Sequence, residues 1–165
     1  MGKKLIIKGA DFTENGIISG VVTFYNDYSD AVLNASSTFP NDNPFYILSS
    51  ELSRLGLLNK TIRFVKFYAK SAGTVSIGTY SGSGSVISGE STYQVTQGVN
   101  IITLTSSIVL TASRLPVFKG NGVLSFWTDN NDAKGFKYSR IGGTASTYAN
   151  YRMPVSFGAL EVPNS

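Results

Sequence analysis

The chain contains no cysteine and no histidine. The first absence removes disulfides, thiolate metal sites and cysteine nucleophiles together. The second removes the usual imidazole metal ligand and the side chain best suited to moving protons near neutral pH. No Ser-His-Asp triad can form, and neither a Gly-x-Ser-x-Gly elbow nor a Gly-Lys-Ser/Thr phosphate loop is present. Charge is also sparse. Only 15% of residues are charged and no run of five like charges occurs, which argues against disorder and against a nucleic-acid-binding tail. Apolar runs are short. Met1-Gly2-Lys3-Lys4-Leu5-Ile6-Ile7 has a basic start but three apolar residues before Lys8, where a secretory signal needs roughly 7–15. No run approaches the ~20 residues that span a bilayer. The expectation is a chain made in the cytoplasm without a signal peptide, with no membrane insertion and no cofactor.

The 165 residues fit one domain covering 1–165, long enough to bury roughly two-thirds of the unfolded surface without covalent staples. A 42% hydrophobic and 12% aromatic content suits a folded globule, and the net charge of +4 favours acidic partners. Hydrophobicity alternates mostly with period two, the signature of half-buried strands. Turn signals recur at Asn15-Gly16, Asn26-Asp27, Asn41 to Pro44, Ala72-Gly73, Ser81 to Ser85, Gln97-Gly98, Asn121-Gly122, Asp129 to Asp132 and Gly142-Gly143. Short strands between close turns are the pattern of an all-β sandwich or barrel, and an antiparallel β-sandwich is expected.

Two hairpins are expected. In the first, Thr61–Lys70 pairs with Thr74–Tyr80 through the loop Ser71-Ala72-Gly73, placing Ala69 opposite Val75 and Phe67 opposite Ile77. In the second, the Asn121-Gly122 turn joins Leu115–Lys119 to Val123–Thr128, with Val117 opposite Phe126. Further strands are expected at Lys4–Lys8, Gly20–Tyr25, Ala31–Ser36, Asn100–Thr105, Ile108–Thr111, Phe136–Arg140 and Val155–Val162. Ser49 to Leu58 is the one helical stretch, with Ser50 as its cap and Gly56 weakening it. The inner faces should carry Val65, Phe67, Ala69, Val75, Ile77, Leu124, Phe126 and Phe157.

The opening Lys4-Leu5-Ile6-Ile7-Lys8-Gly9-Ala10-Asp11-Phe12 resembles the start of particle-associated β-sandwich proteins of phages and prophages of gut Bacteroidetes, including crAss-like phages. The stretches Leu58 to Tyr80, with Ala72-Gly73-Thr74-Val75, and Gly98 to Trp127, with Gly120-Asn121-Gly122-Val123-Leu124, resemble jelly-roll carbohydrate-binding modules. Some relatives with the same opening continue into a lipase-like esterase. Its Gly-Asp-Ser motif and histidine are missing here, so that activity is not implied. The first resemblance implies a virion structural or decorating protein (head fibre, capsid accessory or tail component) whose partners are other virion proteins and copies of itself, for instance as a trimer. The second implies a jelly-roll-like β-sandwich and recognition of bacterial surface glycans.

Candidate binding residues are few. Trp127 falls on the opposite face from Leu124 and Phe126, where it can stack on a sugar or enter a protein neighbour, with Asp129 and Asn130 beside it for hydrogen bonding. The competing reading covers Trp127 with an edge loop or the N-terminal arm. Asp129 and Asp132 offer hard oxygens to calcium, against an ordinary turn, and the EF-hand spacing fails. Residues 1–12 form either a first strand or an assembly arm in which Leu5, Ile6, Ile7 and Phe12 grip a neighbour. Lys66, Tyr68 and Lys70 share a face that could track a single-stranded nucleic acid, but one such strand is more simply the wet side of a sheet, and no nucleic acid is expected. Ten acidic residues permit a two-carboxylate glycosidase in principle, but most lie in turn-like segments, and no pair is placed across a cleft by sequence.

Overall fold

The computed structural model describes residues 3–7, 20–25, 33, 37–38, 43–126, 135–141 and 153–161. Period-two segments become strands in two sheets. The first sheet holds β1 (Lys3–Ile7), β2 (Gly20–Tyr25), β12 (Ser156–Glu161), β5 (Thr61–Ala69) and β8 (Gly98–Val109), neighbours in that order. The second holds β11 (Tyr138–Arg140), β4 (Pro44–Ile47), β9 (Leu115–Lys119), β6 (Gly73–Tyr80) and β7 (Ile87–Val95). A short ribbon pairs β3 (Ser37–Thr38) with β10 (Ser125–Phe126). All pairings within the sheets are antiparallel.

The path of the chain defines the topology. It runs β2 in the first sheet, β4 in the second, β5 back in the first, β6 and β7 in the second, β8 in the first, β9 in the second and β12 in the first. Two four-stranded sheets, β2-β12-β5-β8 and β4-β9-β6-β7, are thereby interleaved as in a jelly roll, with β1 and β11 added on one flank. Antiparallel sandwiches hide one face of each sheet and wet the other. Val65, Phe67, Ala69 and Phe157 of the first sheet accordingly face Val75, Ile77 and Phe118 of the second in one buried cluster that includes Leu124. Phe157 spans the layers, its ring 6.2 Å from Phe118 and 5.5 Å from Phe136, the latter edge-on.

Both expected hairpins are corrected. β5 and β6 lie in different sheets, so Ala69 pairs with Gly98 and Phe67 with Asn100, while Val75 pairs with Tyr93. Apolar alternation in consecutive strands fits a hairpin and a crossing between layers equally well, because both aim the same residues at one core. Gly73 is used for close approach instead of a left-handed turn: a Cβ there would sit 2.7 Å from Val123 Cγ2. The Asn121-Gly122 turn does form, with φ 50° and 74° and the Val123 N–H donating to the Gly120 carbonyl at 2.8 Å. The segment after it leaves the sheet, so Val117 pairs with Tyr46 and Gly78, and Phe126 with Ser37.

Smaller differences follow the same logic. The two strands expected at Asn100–Thr105 and Ile108–Thr111 are one, β8. Within the expected strand Ala31–Ser36, Leu33 alone is described, and it is buried and helical. The helix α1 (Ser49–Arg54) starts after Leu48 without a side-chain cap, so Ser50 lies inside it. Gly56, with φ 70°, ends it: the Leu57 N–H donates to the Leu52 carbonyl at 2.8 Å and the Gly56 N–H to Ser53 at 3.1 Å. That is a Schellman motif, with buried Leu52 and Leu57 as its apolar pair.

Candidate functional site

On the flank opposite β1 and β11, both sheets end in long strands: nine-residue β7 in one and twelve-residue β8 in the other. They follow each other in the chain, and their connection is pinned by Asn100. Its side chain donates to the Thr96 and Gly98 carbonyls at 2.8 and 2.9 Å and accepts from the Thr96 N–H at 3.2 Å. Gly98 takes the left-handed φ of 110° that this corner needs.

Further along, both strands bulge. Ile77 pairs with Ser91 and Thr79 with Ser88, so Gly89 and Glu90 together oppose Gly78. Gly89 adopts φ 60°, and Gly78 has no room for a side chain, a Cβ lying 2.6 Å from Ile87 Cγ2. β8 departs further. Ile62 pairs with Ile108 and Phe64 with Thr103, leaving Leu104 to Ser107 opposite Arg63 alone. A backbone N–H released in this way must find another acceptor. The Thr105 N–H finds the Tyr93 hydroxyl at 3.0 Å, which in turn donates to Thr105 Oγ1 at 3.3 Å. Tyr93 thus ties the two sheet edges together.

Bulges re-aim side chains, and they concentrate at sheet edges and beside functional sites. Here they separate the sheets over a cleft of about 360 Å³. Its lining includes the hydroxyls of Thr79, Ser81, Ser88, Ser91, Ser106, Ser107 and Ser113, with half-buried Ile108 and the buried Ile77 and Leu104 as its apolar part. Among the described residues, Arg114 is the single charged one in the lining. A tight turn places it, Arg114 N–H donating to Thr111 O at 3.1 Å and Thr111 N–H returning to Arg114 O at 3.3 Å. Glu90, close by in sequence, pairs instead with Lys119 at 2.7 Å. That ion pair lies beside the Ser76–Thr92 hydroxyl contact of 2.9 Å on the outer side of the sheet. The Ser81–Ser85 loop is held by Tyr80 Oη donating to Gly84 O at 3.1 Å and Ser81 Oγ to Ser83 O at 3.1 Å.

No protein-family model, curated protein or solved structure matches the chain. The residues themselves therefore carry the functional argument. Trp127, Asp129, Asn130, Asp132 and Phe12 lie outside the described residues. Leu5, Ile6 and Ile7 form β1, paired within the chain to Val22, Val21 and Gly20 at the end of the first sheet. Lys66, Tyr68 and Lys70 are half-buried along β5, Lys70 Nζ 5.9 Å from the Tyr68 ring centroid. Among the described residues no group of three acidic side chains could hold a metal. Glu51 is buried and engaged, accepting from the Lys137 N–H at 2.9 Å and from Arg54 Nε at 3.0 Å. It ties α1 to β11.

The cleft escaped the sequence reading. Its one signal was polar residues at positions where alternation calls for apolar ones: Ser88 and Ser91 in β7, Ser106 in β8. Such a pattern reads as a wet loop until the facing strand is known.

Proposed function

We propose that this protein is a non-enzymatic structural or decorating component of a bacteriophage particle, a head fibre, capsid accessory or tail protein, acting through assembly with itself and with other particle proteins. The observation that carries this reading is the flank formed by β7 and β8. Among the described residues neither strand is paired on its outer side; an unpaired sheet edge is a template for another chain, and proteins that stay monomeric blunt long edges with charge, proline or bulges. β8 bulges at Leu104–Ser107, but its stretch from Gly98 to Thr103 pairs regularly with β5 and holds neither proline nor a charged side chain. It also presents Ile101 and Val109, 47% and 37% exposed, on its outer face. At the far end of the same sheet, β1 offers a second edge, where Leu5, Ile6 and Ile7 would add a neighbour's strand. Symmetric repetition through such edges is how closed oligomers are built. The Lys4–Phe12 nonapeptide supports the particle assignment, and the protein would reach the virion from the host cytoplasm.

Light scattering on the purified chain tests assembly: a stable trimer or larger closed oligomer is expected. A monomer at tens of micromolar, together with absence of the chain from gradient-purified particles, overturns the reading.

The hydroxyl-lined cleft favours a second reading, a module that binds bacterial surface glycans, with Trp127, Asp129 and Asn130 as a further platform. A fibre accommodates both roles. A glycan array probed with the native chain and Trp127→Ala tests the platform, and equal binding by both removes it.

A further inference from the structure

We infer that the β7–β8 cleft binds a carboxylate-bearing saccharide, with the acid group on Arg114 and the sugar hydroxyls on the serines and threonines of the two bulges. The inference rests on the glycan-binding reading above and adds the charge of the ligand. The volume of about 360 Å³ falls at the small end of the roughly 300–1,000 Å³ typical of small-molecule sites. Serine and threonine hydroxyls donate and accept alike, so a wall of them matches a polyol whose hydroxyls do the same. A polar cleft of this kind holds water in the free protein, and a sugar can take over those hydrogen bonds. Half-buried Ile108, backed by the buried Ile77 and Leu104, gives the C–H face of a ring a small apolar surface.

Charge selects the acid. Among the described residues, Arg114 makes no ion pair and no carboxylate lines the cleft. Glu90, the carboxylate carried by β7 itself, is held by Lys119 on the other side of the sheet. A guanidinium without a partner presents a planar fork that fits a carboxylate with two parallel hydrogen bonds. A neutral sugar would leave it unused. A cationic ligand would meet repulsion. Tyr93 is a positioning residue: its hydroxyl is committed to Thr105 and holds the wall that carries Ser106.

Calorimetry on the full chain decides the matter, with trigalacturonate and sialyllactose as probes, their methyl esters as uncharged matches, and inorganic phosphate as the bare anion. At least one acid should bind roughly tenfold or more tightly than its ester, the scale of a charge-assisted hydrogen bond, and added salt should narrow the gap. Arg114→Gln should erase the preference while leaving ester binding in place. Its backbone turn is untouched by the substitution, so folding is preserved. Ser91→Leu, which fills the cleft, should abolish binding of acid and ester together. Equal affinity for acid and ester overturns the inference but leaves the glycan reading standing. No binding by any saccharide removes both. Phosphate binding as tightly as the acid sugars, or a preference that survives Arg114→Gln, also overturns it.

Discussion

Gly158 shows how much one missing side chain can organise. It lies in β12 between Phe24 of β2 and Phe64 of β5, in register with both. A Cβ there would stand 2.9 Å from Phe24 Cε1, 2.9 Å from Phe64 Cβ and 3.1 Å from Val22 Cγ1. Those three side chains form a buried apolar cluster of their own, separate from the main core. The glycine is the floor on which they pack. Gly158→Ala should destabilise by about 1–3 kcal/mol, the usual cost of overpacking, despite alanine's smaller backbone entropy loss. Urea unfolding should show a lower midpoint at unchanged slope. An unchanged midpoint would mean that the Phe24 ring swings aside freely. The identity of the main-core residues was legible in the sequence: Val65, Phe67, Ala69, Val75, Ile77, Leu124 and Phe157 are all buried, because alternation alone decides which face of a strand is apolar. The second cluster was not legible. On β5 it breaks the alternation, Phe64 lying on the face opposite Val65, and β2 gives no hint of which strand will lie beside it.

Among the elements, most strands and the helix could be located from sequence, but their partners could not. β2 matches its expected span, and β12 falls inside its own. β7 was missed because its inward positions near the bulge are serine, the same feature that opens the cleft. In the sequence Gly56 reads as weakening α1, whereas it terminates it. The physics is the same in both readings, since glycine is poor inside a helix and favoured just beyond its end. The distinction is testable. Gly56→Ala forces a Cβ into φ 70° with no steric neighbour within 4 Å, so its cost isolates the backbone term. A loss of about 1–2 kcal/mol is expected, with thermal unfolding as the readout. Stabilisation instead would mean that the helix of the variant extends through position 56 and that the Leu52–Leu57 closure is dispensable.

At the scale of the whole molecule, the jelly-roll path makes one flank different from the other. Consecutive strands β7 and β8 close the sandwich on one side without hydrogen-bonding to each other as a ladder, so among the described residues each keeps an unpaired edge. This arrangement depends on pairings between distant parts of the chain, such as Phe24 with Gly158 and Lys66 with Ile101, and local pattern carries no record of them. It also places the two proposed surfaces side by side: the cleft between the layers and the exposed apolar residues Ile101 and Val109 on the outer face. The two can be separated by charge. Ile101 is exposed on the outer face, so Ile101→Glu sets its carboxylate in solvent at a cost to the monomer within about 0.5 kcal/mol, while burdening any apolar interface with a charge. Combined with Val109→Glu, it should convert the oligomer to monomer in light scattering with the melting temperature of the monomer fold held within a few degrees. Acid-sugar binding at Arg114 should persist, because neither substituted side chain lines the cleft. Assembly unaffected by both glutamates would move the interface off β8, leaving the free edge of β1 as the contact to test next.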